Sequence, residues 1–151
     1  MLLVKSLSTD DLSTPEWTLA FPVLKELRPA LTESSLRQIV EDGSREGLRF
    51  LAAFEGSETA TQACVGVAGW RVMTCTTAGR KAHVDDLVTC AAARGRGVGA
   101  MLLAEVTRRA SDAGCTTLEL DSGVQRFDAH RFYLRERMKI AAHHFALALP
   151  G

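Results

Sequence analysis

The chain has 151 residues, of which 46% are apolar and 24% charged, and its formal net charge is zero. This length favours a single domain, residues 1–151, with a hydrophobic core of its own. A general nucleic-acid-binding protein usually carries an excess of basic residues, so the zero net charge argues against that class. No apolar run approaches the roughly 20 residues of a membrane span. The N-terminus also lacks the basic region and long apolar stretch of a signal peptide, and we therefore expect a cytoplasmic protein.

The first half of the chain mixes helix and strand signals. In order, it predicts a strand at Leu2–Ser6, an interrupted helical region over 10–28, a helix that begins at Thr32 and ends before Gly43, and strands over 48–54, 64–73 and 82–89. Pro15 and Pro22 cause the predicted interruption, because proline lacks the N–H that a helix interior needs. The polar stretch 9–11 offers a cap for this region. Polar and glycine-containing stretches over 55–59 and 76–80 predict turns between the strands.

The second half alternates helix and strand signals more regularly. Leu103, Val106, Ala110 and Ala113 recur at the spacing of one helical face, and Gly114 fits the end of that helix. A strand over 116–121, a helix over 129–137 capped by Asp128, and a final strand over 140–149 follow. A strand, a loop, a helix and a second strand in this order imply a parallel pair with a right-handed crossover. The earlier hairpins are antiparallel, so the sheet should be mixed and flanked by helices.

The loop before the helix of the second half is rich in glycine and arginine. It reads RGRGVGA, from Arg94 to Ala100, and leads directly into the helix. Glycine lets the backbone approach a ligand closely, and the first N–H groups of a helix have no internal partner at its positive end. Together these features predict a pocket for a phosphate or pyrophosphate.

Two known patterns match this loop. Gly95, Gly97 and Ala100 fit the dinucleotide pattern G-x-G-x-x-G/A, and Asp121 follows at about the distance of a ribose-binding acid. However, residues 90–94 separate the loop from the preceding apolar run, and too little sequence follows it for a doubly wound sheet. A dinucleotide-binding oxidoreductase fragment is thus an alternative, which predicts NAD binding without CoA binding.

The other pattern is R-x-x-G-x-G, formed by Arg94, Gly97 and Gly99 after the strand-like HVDDLVT segment. Further on, the segment AHRFY, which ends at Tyr133, is similar to an A-x-x-F-Y motif. Both motifs and the order of elements resemble the GNAT superfamily of N-acetyltransferases. The resemblance implies an α/β (α+β) fold, with a central, mostly antiparallel sheet, one parallel splayed strand pair and flanking helices.

The resemblance also implies acetyl-CoA as the co-substrate and no metal. The four cysteines have no CxxC spacing, which agrees with buried, reduced thiols rather than metal ligands. The cofactor-binding residues that it implies are the loop residues Arg94, Gly95, Arg96, Gly97, Val98, Gly99 and Ala100, the strand residues Leu87, Val88 and Thr89, and, in the later segment, Arg126 and Ala129. The strand residues would pair with the pantetheine arm through their backbone. Arg96 stands where the family varies, and a solvated surface charge is an equal alternative for it.

Acetyl transfer to an amine needs a group that protonates the departing thiolate and a group that takes the proton of the ammonium. By resemblance, Tyr133 is the general acid. Asp85 and Asp86 are candidate bases, or attract a cationic substrate; an ordinary structural ion pair is the alternative for each. Alternation places them on opposite faces of a strand, although a bulge would change which one faces the cleft. No cysteine lies in a context that demands an acyl-enzyme, so direct transfer to the amine is expected.

The chain departs from the family pattern in two places. Arg126 stands where many relatives have an asparagine that contacts the cofactor arm, and Arg137 and Met138 stand where many have glycine. If that last position needs a positive φ, a residue other than glycine costs roughly 1 kcal/mol there.

The acceptor is predicted only as an amine of a small molecule or peptide. A non-catalytic acyl-CoA-binding or sensing domain is the alternative function, and a homodimer that pairs the final apolar strand is an open possibility.

Overall fold

The computed structural model describes residues 1–57 and 62–151. Its contacts divide the chain into two compact units, Met1–Glu119 and Leu120–Gly151. Across the described ranges, no helix combines the length and the apolar character that a membrane crossing needs.

The regular elements follow the predicted order. They are β1 (Leu2–Ser6), α1 (Pro15–Leu27), α2 (Glu33–Arg45), β2 (Arg49–Glu55), β3 (Ala63–Cys75), β4 (Gly79–Thr89), a 3-10 turn (Ala91–Ala93), α3 (Val98–Asp112), β5 (Thr117–Leu120) and α4 (Phe127–Arg135). The five strands lie in the order β1-β2-β3-β4-β5. The pairs from β1 to β4 are antiparallel, and β5 runs parallel to β4. The mixed sheet predicted from the sequence is confirmed.

Both faces of the central strands are buried, which explains the continuous apolar run of β2. Phe50 faces α1, where its ring lies 5.2 Å from that of Trp17 in an edge-on arrangement. Ala53 faces the other way, since its register partner Gly66 lies directly beneath α3. A strand covered by helices on both faces needs apolar side chains at successive positions rather than at alternate ones.

Helix α1 is continuous, so the predicted interruption is wrong. Pro15 occupies the first turn, where the missing N–H costs nothing, and Pro22 lies inside the helix. The cap is Thr14, whose side chain accepts a hydrogen bond from the Trp17 N–H at 3.4 Å, and not the stretch 9–11. Pro22 has no N–H, so α1 lacks one backbone hydrogen bond there. Burial of the apolar face of α1, which includes Trp17, stabilises the helix by more than this loss destabilises it.

Helix α2 begins at the predicted cap but does not end before Gly43. Thr32 and Ser35 form a reciprocal capping box. Gly43 is buried within the last turns of the helix, and a Cβ there would lie 2.7 Å from Cδ2 of Leu48. This glycine allows close packing and does not end the helix. The local sequence is the same in both cases and cannot distinguish them.

Strands β1 to β5 agree with prediction apart from their ends. β4 begins at Gly79, because the turn is shorter than the predicted 76–80. The other predicted turn covers residues 55–59. Glu55 is the last residue of β2, and residues 58 and 59 lie outside the described residues. Gly114 follows α3 with φ +80, as a glycine at a helix end should.

In the second unit, two predictions are wrong. Helix α4 begins at Phe127, and Asp128 lies in its first turn, where it accepts a hydrogen bond from Arg131 at 2.7 Å instead of capping the helix. Residues 140–149 form no strand. Phe145, Leu147 and Leu149 are 91%, 85% and 81% exposed. An apolar pattern favours a strand only where a neighbouring backbone can pair with it, and that condition is not visible in the sequence.

The end of α4 places a residue other than glycine at a position that favours glycine. Arg137 has φ +66, the only positive φ at a described residue other than glycine. The Arg137 N–H donates to the Leu134 carbonyl at 3.1 Å and the Met138 N–H to the Tyr133 carbonyl at 3.0 Å. These two bonds form a Schellman motif, whose left-handed position favours glycine.

We expect Arg137→Gly to raise the free energy of unfolding by about 1 kcal/mol, because it removes the strain of a Cβ at positive φ. Urea unfolding followed by circular dichroism measures the change. Arg135→Gly is the matched control, since the same substitution inside the last helical turn should destabilise by about 1 kcal/mol. A lower stability for Arg137→Gly would contradict the strain argument.

Candidate active site

The glycine loop forms an open, positively polarised end of α3. Gly95 has φ +79, and Gly97, the N-cap residue of α3, has φ +82. The first hydrogen bond of the helix runs from the Met101 N–H to the Gly97 carbonyl at 3.0 Å. The N–H groups of residues 98–100 therefore have no acceptor within the helix. No atom lies within 4 Å of the positions where a Cβ of Gly95 or Gly97 would stand. This arrangement suits an anion with several oxygen atoms, such as a pyrophosphate.

The N-terminus of α3 approaches the sheet closely because β3 has a glycine there. A Cβ on Gly66 would lie 2.7 Å from Cγ1 of Val98 and 2.8 Å from Cδ1 of Leu102. Val98 and Leu102 are fully buried at this contact. The close approach fixes the free N–H groups of α3 beside the end of β4, to which Val88 belongs.

The two loop arginines differ in their partners. Arg96 forms an ion pair with Glu55 at the end of β2. Hydrogen bonding to this carboxylate raises the pKa of Arg96 further. The side chain of Arg94 is exposed and has no ionic partner within ranges 1–57 and 62–151. Arg94 is thus the loop cation that is available to an anionic ligand without breaking an existing pair.

The two predicted carboxylates lie at a β-bulge in β4. Gly69 pairs with Asp86 and Trp70 pairs with Val84, so that Asp85 is the extra residue. The bulge changes the alternation and turns Asp86 toward the α1 side of the sheet, where its Oδ2 lies 3.3 Å from the position of a Cβ on Gly69. Both carboxylates thereby reach the same face, which is the exception to strict alternation that the sequence left open.

Each carboxylate is held by an arginine from a distant part of the chain. Arg28, just after α1, places Nη2 at 2.8 Å and Nε at 2.9 Å from Oδ1 of Asp86. Arg71 of β3 donates from Nε to Oδ2 of Asp85 at 2.9 Å and also binds Glu46 at 3.1 Å. The sequence does not predict either pairing. No local pattern indicates them, because the Arg28 pair spans 58 positions.

Asp85 also contacts His83, whose Nδ1 lies 3.5 Å from its Oδ1. Burial alone would raise the pKa of Asp85, but hydrogen bonds from His83 and Arg71 and the charge of Arg71 lower it below its usual value. Both of its oxygen atoms are engaged. In Asp86, Oδ2 has no hydrogen-bond partner among the described residues. The two carboxylates are consequently unequal as proton acceptors.

A further contact ties α1 to the segment that leads into the loop. The Ala91 N–H donates to Oε1 of Glu26 at 3.0 Å. Together with the Arg28–Asp86 pair, it fixes the end of α1 at two points. Leu87, Val88 and Thr89 complete β4 between these points and pair with Ala68, Val67 and Gly66 of β3.

The remaining predicted residues belong to the second unit. Arg126 is the N-cap residue of α4, and Ala129 and Tyr133 lie half-buried on that helix. Burial raises the pKa of Tyr133, and the charge of Arg126 opposes this shift without cancelling it. Tyr133 is the only tyrosine of the chain and holds its phenolic proton at neutral pH.

Comparison with known proteins identifies the family. Residues 9–137 match the model of the acetyltransferase (GNAT) family. The chain is 37% identical over 122 residues to the uncharacterized N-acetyltransferase YhdJ of Bacillus subtilis (strain 168), covering 80% of this chain and 82% of that protein. It is 41% identical over 67 residues to the aminoalkylphosphonate N-acetyltransferase of Salmonella typhimurium, covering 44% of each.

A solved structure shows the same fold. It is the aminoglycoside N-acetyltransferase AAC(6')-Iy in complex with CoA, which superposes with a TM-score of 0.81 over 99% of this chain and 95% of that one, at 13% identity. The resemblance predicted from the loop and the AHRFY segment is confirmed, and the chain belongs to the acetyltransferase (GNAT) family.

Proposed function

We propose that this chain transfers an acetyl group from acetyl-CoA directly to a primary amine of a small molecule or peptide. The observation that carries the proposal is the open N-terminus of α3, with its unbonded N–H groups, its two glycines at positive φ and the unpaired cation Arg94. These residues fit the pyrophosphate of acetyl-CoA. When bound, acetyl-CoA supplies the acetyl thioester, and this chain supplies binding, orientation and proton transfer.

Each group is assigned the role that its charge or its hydrogen-bonding capacity allows. The N–H groups of residues 98–100 and the guanidinium of Arg94 bind the pyrophosphate. The backbone of Leu87, Val88 and Thr89 lies along the pantetheine arm. Tyr133 donates its phenolic proton to the departing sulfur, a role that the raised pKa favours because the donor stays protonated. Arg126 and Ala129, on the same helix, contribute to cofactor binding.

Asp86 is the better proton acceptor of the two carboxylates. Its Oδ2 is unoccupied by any described residue, whereas Asp85 uses one oxygen for Arg71 and the other for His83, and has a lowered pKa. Asp86 accepts the proton of the ammonium either directly or through a water molecule as the amine attacks the thioester. Asp85 instead fixes the orientation of Arg71 beside the acceptor site.

We expect Asp86→Asn to lower kcat/KM for the amine by about 100-fold, within the usual range for a lost proton acceptor. Asp85→Asn, the matched control, should have a smaller effect of about tenfold, because Arg71 loses one of its two carboxylate partners but keeps Glu46. Steady-state kinetics with a fixed amine measures both. The reverse order of effects would assign the proton acceptor to Asp85.

The names of similar proteins support a proposal for the chemical class of the acceptor substrate. The relative from Salmonella typhimurium is named for aminoalkylphosphonates, and the structural neighbour AAC(6')-Iy is named for aminoglycosides. Both contain primary amines. We therefore propose that this chain accepts a small primary amine, which Oδ2 of Asp86 attracts as its ammonium form. The cytoplasmic location and the homodimer stay predictions, which fractionation and light scattering would test.

Isothermal titration with acetyl-CoA, with NAD and NADP in parallel, tests the cofactor. We expect micromolar binding of acetyl-CoA, followed by thiol release in the presence of an amine from a panel with 2-aminoethylphosphonate and an aminoglycoside. NAD binding without acetyl-CoA binding would overturn the proposal and favour the dinucleotide alternative. Acetyl-CoA binding without thiol release from any amine of a broad panel would favour the non-catalytic sensing domain.

A further inference from the structure

A cavity lies on the α3 side of the sheet, on the face opposite Asp85 and Asp86. Its volume is about 640 Å³. Arg49 of β2 and Trp70 of β3 are register partners, so their side chains project to the same side. The neighbour of Trp70 along the strand, Arg71, projects to the other side and binds Asp85. The cavity is therefore separated from the acceptor site by the thickness of the sheet.

Arginines from three different elements line this cavity: Arg49 of β2, Arg80 of β4 and Arg109 of α3. Two of them have only backbone partners among the described residues. Arg80 donates from Nε to the Ala113 carbonyl at 2.6 Å, and Arg49 donates from Nη1 to the Leu48 carbonyl at 3.0 Å. Neither cation is neutralised by a carboxylate in the part of the chain that the structure describes.

The other charges of the cavity do not cancel these two. Arg109 donates to Glu105 at 2.8 Å and to the Ser6 hydroxyl at 2.9 Å. The lining acid, Asp112, is bound by Arg108 at 2.8 Å. The cavity thus keeps an excess of positive charge. Guanidinium groups bind carboxylate and phosphate oxygens in paired hydrogen bonds, so this excess favours an anion.

The floor of the cavity is apolar and includes an unpaired hydrogen-bond donor. Leu51, Trp70 and Val72 line it. Trp70 is only 8% exposed, and its indole Nε1 is buried without a hydrogen-bond partner among the described residues. Buried donors normally have an acceptor, and this one has none in the described part of the free protein.

We propose that this cavity binds a small organic anion, a carboxylate or phosphate on an aromatic or aliphatic body. Arg49 and Arg80 bind the anionic group, and Leu51, Val72 and the Trp70 ring contact the apolar body. The cavity is distinct from the pyrophosphate site. Val98 begins α3 at that site, and Arg109 lies 11 residues further on, which corresponds to about 16 Å along the helix.

Tryptophan fluorescence can test this proposal, because the chain has two tryptophans and Trp17→Phe leaves Trp70 alone. We expect phenyl phosphate or benzoate, or both, to change the Trp70 emission saturably, and the neutral benzyl alcohol to have no such effect. The comparison between the two anions shows whether phosphate or carboxylate is preferred. Isothermal titration of the unmodified protein with the same probes provides the measurement if Trp17→Phe folds poorly.

Arg49→Ala and Arg80→Ala should each weaken binding of the probe about tenfold, and Trp70→Phe should weaken it by a smaller factor. Arg37→Ala, which removes an exposed arginine of α2 outside the cavity, and Arg94→Ala, at the pyrophosphate loop, should leave it unchanged. No saturable binding up to about 10 mM would overturn the proposal. Loss of binding in Arg94→Ala with retention in Arg49→Ala and Arg80→Ala would also overturn it, by assigning the probe to the cofactor loop.

Discussion

Replacing Tyr133 with phenylalanine should lower kcat for acetyl transfer by about 100-fold, within the usual range for a lost general acid. The affinity for acetyl-CoA should stay nearly the same, because the ring that fills the half-buried position is retained. Tyr133→Phe removes one oxygen atom and changes little else, and circular dichroism would verify the fold. Unchanged kcat would show that another group, or water, protonates the thiolate.

The pH dependence of the unmodified enzyme gives the same role a second test. A general acid works below its pKa and fails above it. Since burial raises the pKa of Tyr133 above its ordinary value of about 10, its proton is present throughout the neutral range. We expect no loss of activity from this group until the pH exceeds about 10, and Tyr133→Phe should remove that alkaline limb. A limb that persists in the variant would belong to a different residue.

Replacing Arg94 with alanine should raise the Kd for acetyl-CoA by roughly 10- to 100-fold, the effect of losing a charge-assisted hydrogen bond to a phosphate. Arg96→Ala is the matched control, since Arg96 stands two residues away in the same loop and carries the same charge. Because Arg96 is committed to Glu55, its removal should change Kd by less than about fivefold. Isothermal titration at one ionic strength measures both.

A third variant makes the comparison sharper. Glu55→Ala releases Arg96 from its ion pair, and we expect tighter binding of acetyl-CoA because a second cation becomes available to the pyrophosphate. Equal losses in Arg94→Ala and Arg96→Ala would contradict the assignment, since they would mean that Arg96 leaves Glu55 when the ligand binds.

The sequence predicts most elements of this fold because their signals are local. The glycine loop, the apolar stripe of α3 and the cap at Thr32 each depend on residues within a few positions of one another. The incorrect predictions concern tertiary contacts. Gly43 continues α2 because Leu48 packs against it. Residues 140–149 have the pattern of a strand but not the pairing.

In the candidate site, too, the local features could be predicted from the sequence and the tertiary contacts could not. The loop and the AHRFY segment were sufficient to predict the family, and the family model confirms it. The bulge at Asp85 and the partners of the two carboxylates follow from strand register and from arginines far away in the chain. Charge pairs between distant elements leave no periodic signal, and which carboxylate is free to act is therefore decided by the folded structure.

The two contacts at the end of α1 have a consequence for how this enzyme can evolve. Glu26 binds the backbone N–H of Ala91, and Arg28 binds Asp86. The single short segment 26–28 therefore contacts both β4 and the residues that lead into the glycine loop. A substitution that reshapes this segment for a new amine should also shift the groups that we propose to bind acetyl-CoA. Adaptation to a new acceptor should therefore proceed through the residues of α1 and α2 that lie before Glu26 or beyond Arg28, where specificity can change without loss of cofactor affinity.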